Sequence, residues 1–238
     1  MPSALLLVSH GSRDPRPEIA MQQLARLVCQ KSEYMVGVAA LELNPQPLHT
    51  QISEFAKSAL AFGRTRLQIL PLFLLPGVHV MTDIPAEIAL AQELVGESII
   101  IDLRSHLGTH PHLGKLVAQP LAKIKPEAAI LLAHGSRRSG SQQQLADIAA
   151  SLGAVAAAWS VPPSLESRVQ ELVAAGYREI AILSYFLFAG GITDAIAKSV
   201  EALKLQFPGV TFQLTEPLGA SAELAELIWD LIDHDLHS

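Results

Sequence analysis

Short, continuous apolar runs alternate along this chain with longer segments whose apolar residues recur at helical spacing. The runs are Ala4–Val8, Val36–Leu41, Leu67–Leu74 and Ser98–Ile101, then Ala128–Leu132, Val155–Trp159, Glu179–Phe188 and Val210–Leu214. Helical patterns follow them at Ile19–Gln30, Leu48–Phe62, Ile84–Leu94 and Leu113–Ala122, and again near 141–152, 164–175, 193–206 and 221–236. A sheet with one wet face would alternate apolar and polar residues. Unbroken apolar strands separated by amphipathic helices point instead to parallel sheets covered on both faces. The pattern predicts an α/β chain of two doubly wound parallel-sheet lobes.

The second half of the pattern repeats the first in detail. ALLLVSHGSR at 4–13 matches AAILLAHGSR at 128–137, which pairs His10 with His134 at an offset of 124. LELNPQPLHTQI at 41–52 is similar to WSVPPSLESRV at 159–169, with Leu41 against Trp159 at an offset of 118. LPLFLLPG at 70–77 matches LSYFLFAG at 183–190, and SHLGTHPHLGKL at 105–116 matches EPLGASAELAEL at 216–227. Four blocks in the same order, at a steadily falling offset, indicate a domain-sized duplication with shorter connections in the second copy. The expected boundary lies in the polar KIKPE stretch. It gives an N-terminal lobe at 1–124 that carries the active site and a C-terminal repeat at 125–238 with a degenerate one.

Composition narrows the function classes. A net charge of −6 disfavours a nucleic-acid partner, which needs a basic face, but allows an anionic small molecule held by local arginines. The single cysteine, Cys29, excludes a disulfide within the chain, a thiolate zinc site and an iron–sulfur cluster on protein thiolates. It falls within a helical pattern and is expected to be packed and inert. The apolar stretch 67–81 is too short to span a bilayer, and no basic n-region with a cleavage site opens the chain. A cytoplasmic protein without a membrane partner is expected.

In doubly wound sheets, ligands bind beyond the carboxyl ends of the strands. In the first copy those ends carry His10 after strand one, Glu42 after strand two and His79 after strand three. Imidazole and carboxylate together suit ions such as iron, cobalt, nickel and zinc, and either imidazole could serve as a base near neutral pH. Each residue taken alone could be only a polar strand end. The second copy is an internal control: it keeps His134, has Ser160 opposite Glu42, and has no histidine near the match to His79. Arg13 and Arg16 follow the first motif, and Arg137 and Arg138 the second. They are either carboxylate-pairing groups or solvated charges. Thr82 and Thr193 look like N-caps, with Asp83 and Asp194 as favourable acids in a first helical turn. His106, His110 and His112 cluster in a loop after strand four and could contribute to a metal site. His49, His234 and His237 are expected to face solvent.

SHGSRDPR at 9–16, LEL and its proline-rich sequel at 41–48, and PLFLLPGVHVMTDIP at 71–85 resemble the CbiX/SirB group of sirohydrochlorin chelatases, class II chelatases. The resemblance covers almost the whole chain, including the duplicated, two-lobed form. It implies ATP-independent insertion of a divalent metal, Co²⁺ or Fe²⁺ with Ni²⁺ as a further candidate, into the tetrapyrrole sirohydrochlorin, in cobalamin or siroheme biosynthesis. The family's metal-handling groups correspond to His10, His79 and Glu42. The resemblance also implies an active cleft between the lobes, with Arg13, Arg16 and Arg137 available to the substrate's carboxylates. It requires no nucleotide. This chain lacks the histidine-rich segment and cysteine-bearing tail of some members, so no iron–sulfur cluster is expected. One duplicated chain does the work of two half-length chains, so a monomer is expected. A non-catalytic tetrapyrrole or metal carrier would share the same residues. A histidine phosphatase is disfavoured, since that motif has arginine where Ser9 stands.

Overall fold

The computed structural model describes residues 3–30, 33–136, 138 and 140–233. The first half forms β1 (Ser3–Ser9), α1 (Pro15–Cys29), β2 (Met35–Ala40), α2 (Leu48–Ala61), β3 (Arg66–Pro71), α3 (Ile84–Val95), β4 (Ile100–Leu103), α4 (Leu113–Ala118) and α5 (Leu121–Ile124). The second forms β5 (Ala128–Ala133), α6 (Ser141–Ser151), β6 (Val155–Ala158), α7 (Leu165–Ala174), β7 (Glu179–Ser184), α8 (Gly191–Gln206), β8 (Thr211–Leu214) and α9 (Ala222–Asp233). Two parallel sheets result, ordered β2-β1-β3-β4 and β6-β5-β7-β8. The α/β fold and the matching order of the two sheets agree with the duplicated pattern in the sequence. No helix among the described residues is long and apolar enough to cross a membrane.

The central strands β1 and β5 are buried on both faces, which is why their sequences are apolar runs. Leu5, Leu6 and Leu7 of β1 are all within 1% of complete burial, and each such leucine is worth roughly 1.5–3 kcal/mol over an exposed one. On one face of the first sheet Ala4, Leu6, Val8, Leu67 and Ile69 pack with Ile52 and Ala56 of α2 and with Ile84, Ile88 and Ala91 of α3. The second sheet repeats this with Ile130, Leu132, Ile180 and Ile182 against α7 and α8. Proline and capping chemistry start α1. Asp14 caps α1 by accepting from the Arg16 N–H at 3.0 Å, with Pro15 at the first helical position.

The compact units are Met1–His110 with Ala220–Ser238, and Pro111–Gly219. They do not coincide with the sequence repeats 1–124 and 125–238, because the last helices of each repeat, α4 and α5 in the first and α9 in the second, belong to the other unit. In the first unit α9 lies against α1, where the Trp229 indole N–H donates to the Val28 carbonyl at 3.1 Å. Buried Arg104 donates from Nη2 to the carbonyls of Leu231 and Ile232, at 3.2 and 2.9 Å. A cation thus closes the last turn of α9, where unpaired carbonyls favour positive charge. In the second unit α4 lies against β7, and its Gly114 faces Leu152 just after α6.

Several local expectations give way for identifiable reasons. β3 stops at Pro71 rather than Leu74, and the 113–122 helix divides around Pro120, which has no N–H to donate. Cys29 is exposed, because the buried stripe of α1 is Met21, Leu24, Ala25 and Val28. His49 does not simply face solvent: it is half-buried, with its Nδ1 2.8 Å from a Glu87 carboxylate oxygen. His234 and His237 lie outside the described residues.

His106 and His110 are buried, and His112 is exposed. The three form no metal-binding group among the described residues. Burial lowers the His106 pKa below its ordinary value of 6.5, and its Nδ1 has no hydrogen-bond partner among the described residues. Unfolded His106 therefore takes up a proton as pH falls through about 6.5, while the folded residue resists until lower pH. In that window the unfolded state binds more protons, so stability falls as pH falls, by up to about 1.4 kcal/mol per pH unit for one proton. Denaturant titrations between pH 7.5 and 5 (roughly the range in which an unperturbed histidine titrates) should show this slope in the wild type and a shallower one in His106→Gln. Equal slopes would refute the assignment.

Candidate metal centre

The backbone at the end of β1 sets the site. The β1–β2 register pairs Ser9 with Ala40, and the ladder runs on past both strands. Leu41 donates to the Ser9 carbonyl and Glu42 to the His10 carbonyl, both at 2.9 Å. His10 and Glu42 are thus held side by side by main-chain bonds. Gly11 then turns the chain with φ +98°, and a Cβ there would collide with the Glu42 carbonyl oxygen. On the other side of β1, Leu72 donates to the Val8 carbonyl at 2.8 Å. The chain passes Phe73 and enters a π-helical turn, His79–Asp83, that leads directly into α3. His10 and His79 thus flank the β1/β3 junction, where the winding of the sheet reverses. Ligands in open α/β sheets bind at such a crevice.

Side chains from three separate strand ends meet here. One ligand-capable atom from each of His10, Glu42 and His79 lies within 4.8 Å of the others, the one such group among the described residues. The two imidazoles are edge-on, with ring centroids 4.8 Å apart and planes at 86°. Nδ1 of His10 is 3.9 Å from a Glu42 carboxylate oxygen. Phe73 lies beside both rings, tilted to each, with its centroid 6.4 Å from that of His10 and 6.2 Å from that of His79. The side chains of His10, Glu42 and His79 are 51%, 49% and 31% exposed, so all three can be reached from solvent. Metal–ligand bonds of about 2.0–2.2 Å place two donors of one ion no more than about 4.4 Å apart. Small rotations of these exposed side chains would close the set around an ion. Two nitrogens and one oxygen suit a borderline divalent transition metal and leave coordination positions open.

The other predicted residues are less tightly drawn in. Arg13 is exposed. Arg16 is already engaged: its guanidinium bonds the Asp14 carboxylate at 2.6 Å and holds that carboxyl down to about 2. Arg137 lies outside the described residues. In the second copy the same ladder recurs, with Ser160 donating from its N–H to the His134 carbonyl at 2.9 Å. Its hydroxyl bonds the same carbonyl at 2.8 Å, so a backbone contact stands where the first copy presents a carboxylate.

The starts of α3 and α8 correct two expectations. Thr82 is not an N-cap, because helical structure already begins at His79. Thr193 lies within α8, where its hydroxyl accepts from the Gly190 N–H at 2.9 Å and donates to the Gly190 carbonyl at 2.8 Å. Asp83, expected to serve only the helix, lies 2.7 Å from Nδ1 of His79 through Oδ2. The His–x–x–x–Asp spacing was the signal for that pair.

These features define a class, a duplicated α/β protein with an open three-donor group able to hold a divalent transition ion. A model of the CbiX family matches residues 4–124 and again 128–234, and the chain belongs to that family. A sirohydrochlorin cobaltochelatase from Priestia megaterium is 22% identical over 255 aligned positions, covering 98% of this chain and 80% of the relative. A sirohydrochlorin ferrochelatase from the same organism is 27% identical over 243 positions, covering 94% and 87%. Among solved structures, SirB from Bacillus subtilis with Fe3+ superposes with a TM-score of 0.81 at 22% identity, over 98% of this chain and 94% of that one. This last likeness shows a shared fold.

Proposed function

We propose that this chain is a metal chelatase that inserts Co²⁺ or Fe²⁺ into sirohydrochlorin without ATP, using His10, Glu42 and His79. The observation that carries the reading is the convergence of these three side chains at the ends of β1, β2 and β3. Membership of the CbiX family and full-length likeness to two sirohydrochlorin chelatases support it. Those relatives differ in metal, and the donor set here accepts either ion, so the choice between cobalamin and siroheme synthesis lies with the rate for each metal.

Insertion exchanges two pyrrole N–H protons for one dication. The free energy comes from the new metal–nitrogen bonds, which is why no nucleotide is required. The protein has to desolvate the ion, deliver it and accept protons. In this reading Glu42 and the imidazoles hold the ion loosely; as the ion passes to the macrocycle, the donors it leaves take up the two pyrrole protons and release them to water. Three donors rather than a closed cage allow the ion to leave for the macrocycle. The substrate is a polycarboxylate, and Arg13 and Arg137 are assigned to it. Arg16 is assigned to it as well, with its Nε and Nη2 already on Asp14. The second copy acts as a degenerate repeat, and the chain works as a cytoplasmic monomer.

The test is anaerobic absorbance spectroscopy of sirohydrochlorin with catalytic protein and excess Co²⁺ or Fe²⁺. Many equivalents of metallated product per chain are expected, with the faster metal identifying the physiological one. Stoichiometric binding at the spontaneous insertion rate would replace this reading with a carrier.

A further inference from the structure

Asp83 has the position of an ordinary first-turn helix acid, but its carboxylate is bonded elsewhere. It stands immediately before α3, yet its carboxylate caps no backbone N–H of that helix. Its bond is to His79, Oδ2 to Nδ1 at 2.7 Å. An ionised carboxylate can only accept, so Nδ1 of His79 carries the hydrogen and the lone pair lies on Nε2. We infer that Asp83 is a positioning residue, whose carboxylate fixes the Nδ1–H tautomer and ring orientation of His79 so that Nε2 faces the incoming dication. The inference rests on the proposed metal centre and assigns its outer support.

The local backbone is built for this pair. From Gly77 to Asp83 the first copy has five intervening residues, whereas Gly190 to Asp194 in the second has three. The longer segment forms the π-helical turn His79–Asp83, closed by Ile84 N–H to the His79 carbonyl. Residues four apart lie on one face of a helical turn, so the turn sets the carboxylate beside the imidazole. The shorter segment enters α8 directly, with no histidine to orient. The extra length, the π turn and the histidine occur together in the copy that carries the three donors. Histidines that ligate metals generally donate their second ring N–H to a carboxylate or carbonyl, and loss of that partner costs about 10–100-fold in affinity.

The experiment uses the full chain labelled with ¹⁵N-histidine and free of metal, followed by a Co²⁺ titration. The His79 resonances, identified by their loss in His79→Gln, should show the Nδ1–H tautomer in the wild type. Asp83→Ala should shift His79 toward Nε2–H and weaken Co²⁺ binding about 10–100-fold. Asp83→Asn, which keeps an accepting oxygen, should retain the tautomer and lose less affinity. A role in helix stability alone would move neither the tautomer nor the rescue by asparagine. An unchanged tautomer in Asp83→Ala, or His79-dependent Co²⁺ binding that survives this substitution, overturns the positioning role. Co²⁺ binding that is indifferent to His79→Gln overturns the metal centre itself.

Discussion

Alanine in place of His10 is expected to abolish catalytic metal insertion while leaving the fold intact. His10 lies beyond the last residue of β1, with its side chain half exposed, and its ring contacts are with Phe73 and His79 at the surface of the site. Truncation there opens no core cavity, so stability should stay within about 0.5 kcal/mol of wild type. The chemical cost is far larger. One of only three donors disappears, and a two-donor site grips a borderline dication weakly. If His10 is also the proton acceptor, that role alone is worth about 10²–10⁴ in rate. Anaerobic turnover measured beside thermal unfolding separates the two quantities. Near-normal turnover by a folded His10→Ala protein would remove His10 from the mechanism.

Much of the architecture could be read from patterning, because a parallel strand buried on both faces must be continuously apolar. β1 and β5 show this most clearly, and the histidines closing them were visible as polar interruptions at strand ends. The convergence of His10, Glu42 and His79 was legible for the same reason: adjacent parallel strands bring their carboxyl ends to one edge. Other features depend on partners that are distant in the chain. The apolar stripe of α9 announces that it must be buried, but not that α1 lies against it or that Arg104 bonds the carbonyls of its last turn. His106 reads as one more strand-end histidine, whether its loop folds inward or not. The π turn was visible only as two extra residues against the second copy. Asp83 looked like a helix-favouring acid because its partner lies four residues earlier, in a segment that sequence alone places outside the helix.

The second large effect is expected at Gly11, where the duplication supplies its own control. Gly11 and Gly135 both have positive φ, +98° and +86°, so alanine at either is strained by about 1–3 kcal/mol. Their surroundings differ. A Cβ at Gly135 would press on the Ala158 Cβ and a Val161 methyl, at 2.7 and 2.8 Å, and is relieved by a local backbone shift in the second copy, which carries neither Glu42 nor His79. A Cβ at Gly11 would strike the Glu42 carbonyl itself. Relief there requires the ends of β1 and β2 to part, which breaks the Glu42 N–H bond to His10 and separates two of the three donors. Misplacement of a catalytic group by about 1 Å can cost roughly 10²-fold. Gly11→Ala should therefore lose about that much in metal insertion, whereas Gly135→Ala should lose similar stability but keep its turnover. Denaturant unfolding and anaerobic turnover of both variants test the comparison. Equal inactivation of the two would mean that the chemistry is shared by both copies. Full activity in Gly11→Ala would mean that the β1–β2 ladder does not set the spacing of His10 and Glu42.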